Sequence, residues 1–182
     1  MEFLEGQLAD LTEAKASLDK VIKDMEQIMA KKFRETYVVV NQIFSEVFAT
    51  MFGGGEARLQ LSNPNDYLKT GVEIMVRPPG KKEQNLSLLS GGERAMTAIA
   101  LLFALLNVRP SPFCVLDEIE AALDEVNVER FAKFIKEYTK KSQFIVISHR
   151  KGTMEAADVL YGVSMENDGV SKLVSVRLED YA

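Results

Sequence analysis

Along residues 3–34 the apolar side chains step by four and three: Leu4, Leu8 and Leu11, then Leu18, Ile22, Met25 and Met29. Lys, Glu, Asp and Gln fill the positions between them, and proline is absent. This spacing predicts a helix with a narrow coiled-coil seam, interrupted once where Lys15 takes a core slot. An amphipathic helix lying on its own domain fits the same pattern. No cap or turn precedes the seam, so the segment is expected to be the stump of a longer helix. The apolar face then widens through Tyr37, Val40, Ile43, Phe44, Val47 and Phe48, as entry into a core requires, until Phe52-Gly53-Gly54-Gly55 stops the helix. A boundary is expected where the face widens, between a coiled-coil neck over residues 1–35 and a globular unit over residues 36–182.

Residues 57–61 and 72–77 alternate apolar and polar positions around Ser62-Asn63-Pro64-Asn65-Asp66, which predicts a β-hairpin. Arg77-Pro78-Pro79-Gly80-Lys81-Lys82 reads as a loop. From Leu89 the rhythm becomes helix, strand, helix, strand. A helix over 90–108 ends before Pro110, and the apolar run 113–116 is expected as a buried strand. An amphipathic helix over 124–141 and a strand over 144–148 follow. A short helix near 152–157 precedes two strands, 159–165 and 171–178, joined at Asn167-Asp168-Gly169. Short apolar strands alternating with helices predict an α/β fold with a mainly parallel sheet.

Composition narrows the class. The 182 residues are 47% hydrophobic and 27% charged, a balance that supports a packed core and excludes a disordered chain. A net charge of −5 argues against a nucleic-acid module held by bulk electrostatics. The single cysteine, Cys114, forms no internal disulfide and makes a zinc site improbable, which fits a reducing compartment. It reads as a small buried hydrophobe in its strand. No signal-peptide pattern opens the chain, and the apolar stretch 95–108 is too short to span a bilayer, so a cytoplasmic protein without a membrane is expected. Lys81-Lys82, Lys140-Lys141 and Arg150-Lys151 read as solvated surface, and Met25, Met29, Met96 and Met165 as core or seam packing.

Two places carry candidate chemistry. In Leu89-Ser90-Gly91-Gly92-Glu93-Arg94, Ser90 and Glu93 make an S-x-x-E capping box before an almost wholly apolar helix. Free N–H groups at the positive end of the helix dipole suit a phosphate, and side chains at Gly91 or Gly92 would block its approach. A plain N-cap has the same wording. Further on, Phe113-Cys114-Val115-Leu116 runs into Asp117-Glu118, placing two carboxylates at the carboxyl edge of a parallel sheet, where α/β folds bind ligands. Asp117 is suited to Mg²⁺ held through water, and Glu118 to orienting and deprotonating a water. Ala121-Ala122-Leu123-Asp124 follows at once, and Ser148-His149 comes after one more helix and strand.

This ordered set resembles the ATP-binding-cassette ATPases: signature motif, Walker B, D-loop and switch histidine. The wording of Leu88-Leu89-Ser90-Gly91-Gly92-Glu93-Arg94-Ala95, of Val115-Leu116-Asp117-Glu118 with Ala121-Ala122-Leu123-Asp124-Glu125, and of Ile147-Ser148-His149-Arg150-Lys151-Gly152-Thr153-Met154 is similar to the SMC family of chromosome-organising ATPases, its bacterial members above all. The resemblance implies the C-terminal lobe of an ABC-type ATPase head that uses ATP and Mg²⁺. Ser90, Gly91, Gly92 and Glu93 would serve the nucleotide of an opposing head, with Ser90, Gly91 and Gly92 at its γ-phosphate. Asp117 would serve the metal, Glu118 would be the catalytic base, Asp124 would sit in the loop at the two-head interface, and His149 would touch the γ-phosphate.

No G-x-x-x-x-G-K-[ST] string occurs in the chain. The resemblance implies that the N-terminal half of the same head supplies this P-loop across a long coiled coil, and that the chain is inactive alone. It also implies a second head as homodimer partner, a kleisin whose C-terminal winged-helix domain docks on the closing hairpin, and DNA reached through the assembled complex at the nucleoid. The implied outcome is chromosome condensation and segregation. An SMC-like DNA-repair ATPase and a non-enzymatic coiled-coil adaptor are the alternatives.

Overall fold

The computed structural model describes residues 2–140, 142–165 and 169–178. One helix, α1 (Glu2–Phe52), carries both the predicted seam and the widening face without interruption. At 1.5 Å per residue it is about 75 Å long. Leu8, Leu11, Leu18, Ile22, Met25 and Met29 are each more than half exposed, so the seam has no partner among the described residues; the side chain of Leu4 lies outside them. Burial begins further on, with Val40, Phe44, Val47, Phe48, Met51 and Phe52. Gly53 and Gly55 then take φ of +71° and +87°. A Cβ on Gly55 would stand 2.5 Å from the Arg77 carbonyl oxygen, so the chain turns into the first strand through glycine alone.

The hairpin forms as predicted. Strands β1 (Glu56–Leu61) and β2 (Val72–Arg77) pair antiparallel from Glu56↔Arg77 to Leu61↔Val72. A two-residue strand, β3 (Gln84–Asn85), adds to β2 and is too short to leave a pattern in sequence. Helix α1 holds the strand it faces: Tyr37 Oη donates to the Leu59 carbonyl at 2.7 Å, and Asn41 Oδ1 accepts the Leu59 N–H at 2.6 Å.

Helix α2 (Gly91–Val108) buries Met96, Thr97, Ile99, Ala100, Phe103 and Ala104 and packs on α1. Its 18 residues are long and apolar enough to cross a membrane by composition, more than the sequence stretch suggested. Here that apolar character serves the core, which α1 and α2 share. Strand β4 (Phe113–Asp117) pairs parallel with β5 (Gln143–Ile147), and α3 (Glu125–Tyr138) crosses between them. Phe103 meets Phe134 edge-on at 5.0 Å and Tyr138 at 5.2 Å, which fastens α3 to α2. A short α4 (Lys151–Glu155) follows, and β6 (Val159–Met165) and β7 (Ser171–Arg177) close the chain as an antiparallel pair.

Several expectations change. Among the described residues, parallel pairing is confined to β4 and β5; the three-stranded and closing sheets are antiparallel. The strands expected to be buried are half open. Phe113, Val115, Ile145 and Ile147 are 49–57% exposed because they share the face of β4 and β5 that no described element covers, while Cys114, Leu116, Phe144 and Val146 on the other face pack into the core. Cys114 is half-buried rather than sealed, and Met165 is exposed at the rim of the last hairpin. Helix α3 ends at Tyr138; Lys141, like Asn167 and Asp168 of the predicted turn, lies outside the described residues.

Candidate functional site

The first corner is the mouth of α2. Ser90 is the N-cap, and both arms of the capping box form: its Oγ accepts the Glu93 N–H at 3.4 Å, while Glu93 Oε2 accepts the Ser90 N–H at 3.3 Å and its hydroxyl at 2.8 Å. Lys81 Nζ reaches the other Glu93 oxygen at 2.8 Å. That ammonium holds the Glu93 carboxyl below its usual range; partial burial opposes the shift, and the Ser90 hydrogen bonds reinforce it. Both Glu93 oxygens are thus engaged within the chain, one by Lys81 and one by Ser90. Lys81, expected as free surface, is its counter-ion. Gly91 and Gly92 have no left-handed backbone. A Cβ at Gly91 would meet nothing within 4 Å, and one at Gly92 only the Ala122 carbonyl oxygen at 3.4 Å. The chain's own packing thus gives no reason for glycine at position 91, although glycine costs a helix about 0.5–1 kcal/mol relative to alanine.

The second corner lies at the carboxyl ends of β4 and β5. The register pairs Asp117 with Ile147, and the Glu118 N–H donates to the Ile147 carbonyl at 3.0 Å. Glu118 and His149 thereby emerge side by side, with His149 Nδ1 3.3 Å from Glu118 Oε1. Both are more than half exposed. Glu118 is the one non-glycine residue with positive φ, +47°, among the described residues. Such a backbone costs about 1–3 kcal/mol and concentrates at functional positions. The Asp117 carboxylate is exposed and takes no hydrogen bond or ion pair from the described residues. No cluster of three or more His, Cys, Asp or Glu suited to a metal occurs among them. A lone open carboxylate at a strand end fits Mg²⁺, which keeps its waters and takes further oxygens from a phosphate.

Asp124 has a job within its own chain. It caps α3, with Oδ1 accepting the Asn127 N–H at 2.9 Å and Oδ2 the Asn127 side-chain amide at 3.2 Å. Arg150, expected as solvated surface, is half-buried and donates to the Leu123 carbonyl at 2.6 Å. Lys151 pairs with Glu155 at 3.3 Å.

Sequence reasoning missed one residue. Glu120, within Asp117-Glu118-Ile119-Glu120, is only 1% exposed. Its Oε1 accepts the Ser148 hydroxyl and, at 3.1 Å, the Thr153 hydroxyl, while its Oε2 is buried without a partner. An unsatisfied buried oxygen costs about 1–3 kcal/mol. No spacing signalled it; an acid in a turn reads as exposed.

Residues 4–172 match the family described as the RecF/RecN/SMC N terminal domain. That description names an N-terminal domain, where the sequence led to an expected C-terminal half. The chain is 62% identical over 179 residues, 98% of its length, to the chromosome partition protein Smc of Bacillus subtilis, and 48% identical over 176 residues, 97% of its length, to that of Mycobacterium tuberculosis. It spans 15% of the length of these relatives. Among solved structures, an SMC head bound to the C-winged helix domain of ScpA superposes with a TM-score of 0.74 at 48% identity, over 81% of this chain and 45% of that one. An Smc head with an extended coiled coil from Pyrococcus furiosus, bound to the C-terminal domain of ScpA, gives 0.78 at 44%, over 97% of this chain and 44% of the other. A chain from a study of ATP-driven dimerization of SMC ATPases gives 0.77 at 46%, over 82% and 91%.

Proposed function

The chain belongs to the SMC family, and from that premise we propose that it forms the signature and Walker B lobe of an ATPase head. It completes an ATP site together with a P-loop half of the same head and a second head. The observation that carries this reading is the pairing of Glu118 with His149 beside an open Asp117, in one chain with a glycine-headed helix whose mouth is bare. Asp117 holds Mg²⁺ with the phosphates. Glu118 receives the proton of the attacking water, and His149 orients the terminal phosphate. Ser90 and the N–H groups of Gly91 and Gly92 receive the γ-phosphate of ATP bound to the opposing head. Asp124 stands in the loop facing that head.

We place this lobe on the C-terminal side of the head, with α1 as the returning arm of a coiled coil over residues 1–35 and the globular unit over 36–182. The family's description as an N-terminal domain stands against that placement. The missing G-x-x-x-x-G-K-[ST] string stands for it. The closing hairpin is where a kleisin winged-helix domain docks: Tyr161, Val163, Leu173 and Val174 are each more than 60% exposed on β6 and β7. The assembled complex acts on chromosomal DNA in the cytoplasm, in condensation and segregation.

Steady-state ATP hydrolysis tests the reading. This chain alone is expected to be inactive, and activity is expected on mixing it with a separately produced P-loop half, with Glu118→Gln abolishing it. An inactive mixture that nonetheless forms a stable complex, with DNA and kleisin added, contradicts it and favours a non-enzymatic adaptor.

A further inference from the structure

We propose that Glu120 is a positioning residue that sets His149 against Glu118 by clamping the end of β5 to the turn after β4. The proposal rests on the reading of Glu118 and His149 as the reacting pair. Leucine or isoleucine at position 120 would fill the same buried space without desolvating a carboxylate. An aliphatic side chain, however, accepts no hydroxyl hydrogen. Glu120 Oε1 accepts two, from Ser148 just before His149 and from Thr153 on α4 just after it. Ser148 passes the constraint on, since its oxygen accepts the Arg150 N–H at 3.0 Å. The residues on both sides of His149 are thus tied to one buried acid, and the imidazole is left at the exposed apex.

Three further bonds fix that clamp to the acidic turn. The Arg150 guanidinium grips the Leu123 carbonyl at 2.6 Å, and the turn is closed by Ala121 N–H to Glu118 O at 3.1 Å and Leu123 N–H to Glu120 O at 2.9 Å. His149 itself makes one polar contact among the described residues, to Glu118. With one polar contact of its own, the ring takes its position chiefly from the backbone on either side of it.

The test uses the head assembled from this chain and a P-loop half. Glu120→Ala is expected to lower kcat about ten- to a hundredfold, the scale of an ångström of misplacement, with the KM for ATP within about twofold. Glu120→Gln keeps an acceptor oxygen for both hydroxyls and is expected to recover most of kcat. His149 is the chain's one histidine, so histidine labelled with ¹³C at Cε1, introduced into this chain only, gives a single ring resonance in the assembled head. That resonance is expected to move toward the free-imidazole position in Glu120→Ala and in Ser148→Ala, with no further movement in the double variant. An unmoved resonance in both single variants, or equal kcat loss in Glu120→Ala and Glu120→Gln, overturns the proposal. So does a kcat loss that tracks lost assembly. An inactive wild-type head would overturn the enzymatic reading instead, and the resonance would still decide the clamp.

Discussion

The two corners of the site differ in how much of each this chain builds. At the mouth of α2 everything is present: Ser90, Glu93 and Lys81 satisfy one another, and the helix behind them is sealed against α1. At the ends of β4 and β5, Asp117, Glu118 and His149 stand on a sheet of two strands whose apolar residues Phe113, Val115, Ile145 and Ile147 are half open. Parallel sheets are stable when both faces are covered. The first corner is therefore complete within this chain. Under the proposed function the second is incomplete until further protein covers the open face of β4 and β5. The strain at Glu118 and the orphaned oxygen of Glu120 both lie on the unfinished side.

The largest test of this contrast acts on the second corner. In the assembled head Glu118→Gln is expected to lower kcat about 10²- to 10⁴-fold, the usual contribution of a general base. Its melting temperature should not fall, because the Glu118 side chain is exposed and supports no packing. A fall in melting temperature matching the lost activity would make Glu118 a structural residue.

Gly91→Ala sharpens the contrast from the other side, with two effects of opposite sign. The open space at position 91 and its ordinary φ predict a gain of about 0.4–1 kcal/mol in stability, read by denaturant unfolding. ATP-driven dimerisation of heads, read by sedimentation, should fail, because the methyl group covers the N–H groups. Lower stability would mean that glycine serves the fold there, and intact dimerisation would remove the phosphate role.

The smallest effect concerns the clamp on Ser90. Glutamine at position 93 keeps an acceptor and loses the charge that Lys81 pairs, a cost of about 0.2–1 kcal/mol for a pair on the surface. The Glu93 carboxyl is held below its ordinary value, so its contribution is fully present above the usual carboxylate range. That contribution disappears as pH falls through the lowered value. The melting-temperature gap between wild type and Glu93→Gln should accordingly be constant near neutrality and close in acid. A gap that persists once the carboxyl is fully protonated would assign the effect to packing.

Legibility in sequence follows the same division. The Ser90–Glu93 box, the hairpin, the long helix and the strand leading into Asp117-Glu118 all depend on neighbours in sequence, and the residues announce them. The link from Lys81 to Glu93 spans 12 positions with no periodicity. The Glu120–Ser148–Thr153 cluster joins a turn to a segment some 28 to 33 positions away. Such contacts exist only once β4 and β5 align in parallel, so no local pattern carries them. The buried reading of residues 113–116 failed for another reason: an apolar run reports what a strand needs, and the covering surface is not among the described residues. The capping of α3 by Asp124 is by contrast local, its partner Asn127 lying three residues on.

Amide hydrogen exchange on this chain, alone and with the P-loop half, tests the contrast most directly. The amides of α2 from Arg94 through Ala104 should be protected in both states, and those of Gly91 and Gly92 should exchange readily. The amides of β4 and β5 should exchange readily in the isolated chain and become strongly protected in the complex. Equal protection of β4 and β5 in both states would contradict the account, because the second corner would then be complete without a partner.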